Sequence, residues 1–79
     1  MQRNEHILVA YISRNEKGYS GRIEDSGKNI YFTGPAESLI SNLRGRRRDR
    51  HNVFVISSRR YGPEPTGDEI NAIIEKIRR

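Results

Sequence analysis

From His6 to Ser13 the chain carries Ile-Leu-Val-Ala-Tyr-Ile without a polar break. A short run of this kind suits a strand covered on both faces, so residues 6–13 are predicted as a central strand. Asn15-Glu-Lys-Gly18 has turn chemistry, and the chain then alternates, with Tyr19, Gly21 and Ile23 on one side and Ser20, Arg22 and Glu24 on the other. That pattern predicts a second strand over 19–25 with one wet face. Asp25-Ser-Gly27-Lys turns the chain again, and residues 29–33 form a third strand with Ile30 and Phe32 opposite Tyr31.

Apolar spacing then changes from two residues to that of a helix. Ala36, Leu39, Ile40 and Leu43 recur at i, i+3, i+4 and i+7 behind Pro35, which suits a first helical position, so a helix is predicted over 35–44. Gly45 is expected to end it in a left-handed conformation, leaving residues 46–52 as a loop. Residues 52–59 form a fourth strand, apolar on both faces through Ile56, and Gly62-Pro-Glu-Pro-Thr66 is a connection. Thr66 and Glu69 have capping-box spacing ahead of a stripe of Ile70, Ile73, Ile74 and Ile77, which predicts a helix over 67–78.

The element order is therefore βββαβα in a single α+β domain over 1–79. A right-handed crossover through the first helix lays strand four parallel to strand one, giving a four-stranded mixed sheet ordered 3-2-1-4. This is expected to put the two strands with apolar residues on both faces together in the middle. Two helices cover only one face, so the other presents either Ile7, Val9 and Tyr11 or Leu8, Ala10 and Ile12, with matching residues of strand four. A face of that kind is expected to be covered by a second copy, as a homodimer, or by another protein. Strand three, as an edge, could also accept a partner strand.

This topology is similar to the opening of the ribonuclease-H-like fold. Lys17-Gly-Tyr19 entering a strand and Phe32-Thr-Gly-Pro-Ala-Glu-Ser-Leu39 joining strand to helix resemble the truncated version in HicB-type antitoxins. The resemblance covers residues 7–57 and implies a small regulator that docks a protein. It does not carry the catalytic form, because a two-metal nuclease needs a carboxylate on the first strand and residues 7–12 contain none.

Charge changes the picture most. The chain of 79 residues has a formal net charge of +5, and residues 44–60 hold seven of its fifteen basic side chains against one acid, Asp49. Those seven are Arg44, Arg46, Arg47, Arg48, Arg50, Arg59 and Arg60, and Tyr61 follows them. Arginine's planar fork matches phosphate, and a need for solubility alone would be met as well by lysine. The expected function is a non-enzymatic module that binds DNA or RNA, with these arginines on phosphates and Tyr61 placed to stack on a base. The competing readings are a regulator that meets an acidic protein, and a solvated loop in which Arg44 complements a helix C-terminus.

No P-loop, dinucleotide fingerprint or metal-ligand spacing occurs in the chain, so no cofactor is implied. His51 has no second titrating group placed with it, and an enzyme is not expected. Without cysteine, and with an N-terminal apolar run too short for a signal sequence or a membrane span, the chain is expected to be cytoplasmic.

Overall fold

The structure is a computed structural model that describes residues 6–49 and 51–79. Its elements are β1 (Leu8–Asn15), β2 (Gly18–Asp25), β3 (Lys28–Gly34), α1 (Ala36–Arg46), β4 (Val53–Ser57) and α2 (Gly67–Arg78). The sheet is ordered β3-β2-β1-β4, with two antiparallel hairpin pairings and β4 parallel to β1, as the apolar patterning predicts.

Register settles which face the helices take. Leu8 stands beside Val53 and Ala10 beside Val55, and Ile23 lies across from both Ala10 and Ile30. Leu8, Ala10, Ile23, Val53 and Val55 join Ile12, Tyr19, Leu39, Ile40, Leu43, Ile73 and Ile77 in one core, with Ile30, Phe32, Ala36, Ile70 and Ile74 at its margin. The other face carries Ile7, Val9, Tyr11, Phe54 and Ile56 on its β1–β4 half. Ile7, Phe54 and Ile56 are 46%, 44% and 44% exposed. The β2–β3 half of that face is polar apart from Tyr31, and Ser20 and Thr33 there hydrogen-bond to each other and to Asn15 at the end of β1. Tyr11, at the border, lies under the Arg22 guanidinium, 4.7 Å from the ring centroid.

Both helices begin at one end of the molecule and finish at the other. β3 and β4 run the same way as β1, and each is followed by a helix that returns over the sheet. At the starting end Pro35 packs so closely on Gly18 that a Cβ there would lie 2.7 Å from the proline Cα. At the same end Tyr19 donates a hydrogen bond to Glu69 Oε2 at 2.6 Å, and the Thr66–Glu69 capping box is formed. α2 lies against β4, and α1 lies over β2 and β3.

Two predicted boundaries move. Gly45 does not stop α1; it is helical, and the helix continues to Arg46, with Arg47 as its C-cap donating its amide to Leu43 O at 3.0 Å. The two added residues are held by Arg46 itself, whose guanidinium bonds Asn42 one turn back and Asp25 on β2. β4 ends at Ser57 and not at Arg59. Ser58 makes a last ladder bond to Ile12 O, after which the chain turns and its amides bond Ser58 Oγ and Ser13 Oγ.

Candidate nucleic-acid interface

The parallel course of the helices gathers their basic last turns. α1 ends in Arg44 and Arg46 and α2 in Lys76 and Arg78, with Arg47 and Arg79 at the two caps. Arg47 Nη2 donates to the backbone O of Arg79 at 3.2 Å, which ties one helix end to the other. Residues 44–49 and 75–79 together hold seven cations against two carboxylates, Asp49 and Glu75. A shallow groove runs between the helices, lined by Glu37, Ile40, Ser41, Arg44, Lys76 and Arg79.

The cations of this end differ in how they are held. Arg46 Nε donates to Asn42 Oδ1 at 2.6 Å and Arg46 Nη1 to Asp25 Oδ2 at 3.5 Å. His6 Nε2 meets the other Asp25 oxygen at 2.5 Å. The hydrogen bond from His6, with Arg46 beside it, holds the Asp25 carboxyl below its usual range. Arg46 is thus partly committed to a structural network. Arg79 pairs with Glu75 at 3.5 Å. Arg44, Arg48, Lys76 and Arg78 are exposed and make no ion pair among the described residues. Arg50 lies outside the described residues.

Arg59, Arg60 and Tyr61 sit elsewhere. They follow the far end of β4, five residues from its start, which is roughly 16 Å along a strand. There the charge is nearly balanced: Arg59 pairs with Glu64 at 3.0 Å and Arg14 with Glu69 at 3.7 Å. Ser13, fully buried, donates to Ser58 O at 2.7 Å and accepts the Tyr61 amide at 3.2 Å, which folds this segment back over the end of β1. Tyr61 is half-buried there, whereas Tyr31 on the open face is 67% exposed. The predicted residues therefore form two groups. Arg44, Arg46, Arg47 and Arg48 come together at one end, and Arg59, Arg60 and Tyr61 stand at the other.

Sequence reasoning missed Lys76, Arg78 and Arg79. Their signal was present in the topology, because two helices that each follow a strand of the same direction must end on the same side. The groups at the far end have a structural role. Burial and the hydrogen bond to Glu69 push the Tyr19 hydroxyl up to about 12, and the bonds from Tyr19 and the Thr66 backbone hold the Glu69 carboxyl low. His51 is exposed, and Asp49 Oδ1 accepts its amide at 2.8 Å, so that carboxylate closes a turn.

No helix among the described residues is long and apolar enough to cross a membrane. Comparison with protein families, with curated proteins and with solved structures returned no match to this chain, and the resemblance to the ribonuclease-H-like fold is not confirmed.

Proposed function

We propose that the protein is a non-enzymatic module that binds the phosphate backbone of DNA or RNA with the end where α1 and α2 finish. The observation that carries this reading is the joining of the two basic helix ends, with Arg44, Arg48, Lys76 and Arg78 exposed and unpaired among the described residues. One helix end with one or two cations would be ordinary compensation of its dipole. Seven cations around two tethered ends exceed that, and arginine and lysine at this density suit a chain of phosphates. Phosphate contacts of this kind position a ligand without reading its bases, so binding is sequence-tolerant.

Fluorescence anisotropy with labelled single- and double-stranded oligonucleotides, DNA and RNA, over a salt series tests the proposal. A variant with Arg44, Arg48 and Lys76 all changed to alanine spares the Arg46 network. It should weaken binding to every sequence alike and flatten the slope of log K against log salt by about 0.7–0.9 for each phosphate that is no longer neutralised. An unchanged slope would sink the proposal.

The exposed Ile7, Phe54 and Ile56 favour a protein contact on the open sheet face, which fits a regulator that also docks a partner. Ile56→Glu should then release that partner while leaving oligonucleotide affinity in place.

A further inference from the structure

We infer that β3 is a self-complementary edge through which two copies of this chain join into one eight-stranded sheet. The inference is independent of nucleic-acid binding and rests on the phase of the β2–β3 hairpin. Ser26 and Gly27 hold positive φ angles of 52° and 84°, the two-residue turn of a tight hairpin. Such a turn directs the Lys28 amide at β2, and pairing then alternates along the antiparallel strand, so Lys28, Ile30, Phe32 and Gly34 bond β2. Asn29, Tyr31 and Thr33 point their N–H and C=O groups away from the sheet.

Those three residues are accessible. Asn29 and Thr33 are exposed and Tyr31 is 67% exposed. β3 pairs only with β2, and the outward main-chain groups make no hydrogen bond among the described residues. The opposite edge of the sheet is closed by comparison, since Val53 and Val55 of β4 are 1% and 7% exposed. β3 keeps unbroken register with β2 over seven residues, with no bulge, no proline and a single charge, Lys28, at its start. Bulges, prolines, inward-pointing charges and short length are what ordinarily keep an edge from pairing.

Antiparallel pairing about a two-fold axis through Tyr31 uses all of these groups. Tyr31 exchanges bonds with Tyr31 of the second copy, and Asn29 does so with Thr33. Lys28 falls across from Gly34, so no like charges meet. On the helix-covered face Ile30 stands directly across from Phe32 of the second copy, in the closer kind of antiparallel pair. Both are half-buried at the margin of the core. Phe32, Gly34, Ser38 and Asn42 line a small recess at that margin, and the pairing brings Ile30 of the second copy beside it.

A second copy fits this edge because the helix layer matches as well. α1 lies over both β2 and β3. With strands about 4.8 Å apart, a helix midway between β2 and β3 stands about one strand spacing from the axis, so the two α1 axes lie about 10 Å apart. Packed helices stand about 8–10 Å apart. Ser38 and Asn42, the α1 residues beside β3, are short enough for that approach. The two α1 helices run antiparallel, which sets the first turn of one, with Glu37, toward the last turn of the other, with Arg44 and Arg46. Their dipoles then oppose, and the basic poles of the two molecules stay at opposite ends.

Sedimentation of the wild type should show mass rising from one copy to two with concentration. Tyr31→Glu and Tyr31→Lys each set like charges directly across the axis, so each alone should lose that rise, and their equal mixture should regain it. Position 31 is at the surface, so both variants should keep the circular dichroism of the wild type. The chain has no cysteine, which lets oxidation read the register. Asn29→Cys and Thr33→Cys proteins, mixed in equal amounts and oxidised, should form the mixed disulfide in clear excess over either symmetric one. Across the axis the unlike positions stand about 5.5 Å apart, within disulfide geometry, whereas like positions are offset by four residues, about 13 Å. A wild type that remains a single copy at every concentration, charge variants that fail to associate when mixed, or symmetric disulfides in excess would each overturn the inference. So would a dimer that is lost in Ile56→Glu and kept in Tyr31→Glu, which would mean open faces stacked on each other.

Discussion

Asp25 sits where three segments meet. It ends β2, holds His6 ahead of β1 and receives Arg46 from the last turn of α1. Its carboxyl titrates below the value near 3.9 of an unfolded chain, so the ionised form is the one the fold prefers. The stabilisation is complete above the unfolded pKa and is lost as the pH falls through the lower folded one. Asp25→Asn should therefore destabilise the protein by about 1 kcal/mol near pH 7, with the gap from wild type closing toward pH 3. Urea unfolding at both pH values measures it, and a gap that persists in acid would assign the loss to packing. Little of this network is legible in the sequence. Asp25 reads there as a turn residue and Arg46 as a phosphate ligand, because sequence spacing does not show that a helix end will rest on a hairpin. Gly21 is similar. It reads as one position of an alternating strand, yet a Cβ there would fall 1.9 Å from Tyr11 O, so glycine is required by close backbone approach.

At the scale of elements, periodicity is a good guide wherever one face is buried. The stripes through Leu39, Ile40 and Leu43 and through Ile73 and Ile77 are the buried faces of α1 and α2, and the Thr66–Glu69 box forms as its spacing predicts. Boundaries are less legible, since glycine admits both a helical and a left-handed reading. Gly45 lies inside α1 with open space where a Cβ would stand. Gly45→Ala should accordingly stabilise the protein by roughly 0.5–1 kcal/mol, read as a rise in thermal midpoint. A left-handed Gly45 would give the opposite sign, so one melting curve distinguishes the two conformations. The end of β4 is hidden for another reason. Ser13 reads as an ordinary strand residue, but its buried hydroxyl bonds Ser58 O, the carbonyl next in line on the ladder, while the Arg14 amide goes to Pro63 O.

For the whole molecule, strand order follows from handedness and from the two strands apolar on both faces, and the observed sheet agrees. The site is legible only in part. The arginine run from 44 to 48 stands out in the sequence, while its companions Lys76, Arg78 and Arg79 lie some thirty residues away and join it through chain reversal over the sheet. If this end takes phosphates, a polyphosphate should raise the thermal midpoint more than sodium chloride of equal ionic strength. The Arg44, Arg48, Lys76→Ala variant should lose that difference. Equal shifts from both additives in the wild type would count against phosphate binding.

The shared direction of α1 and α2 also bears on events before contact. With acidic first turns and basic last turns on both helices, the molecule carries a permanent separation of charge along its length. A polyanion within about a Debye length, near 8 Å in physiological salt, exerts a torque that turns the cationic pole forward. If nucleic acid is the ligand, rotational search is thereby shortened, and productive collisions become a larger fraction of all collisions.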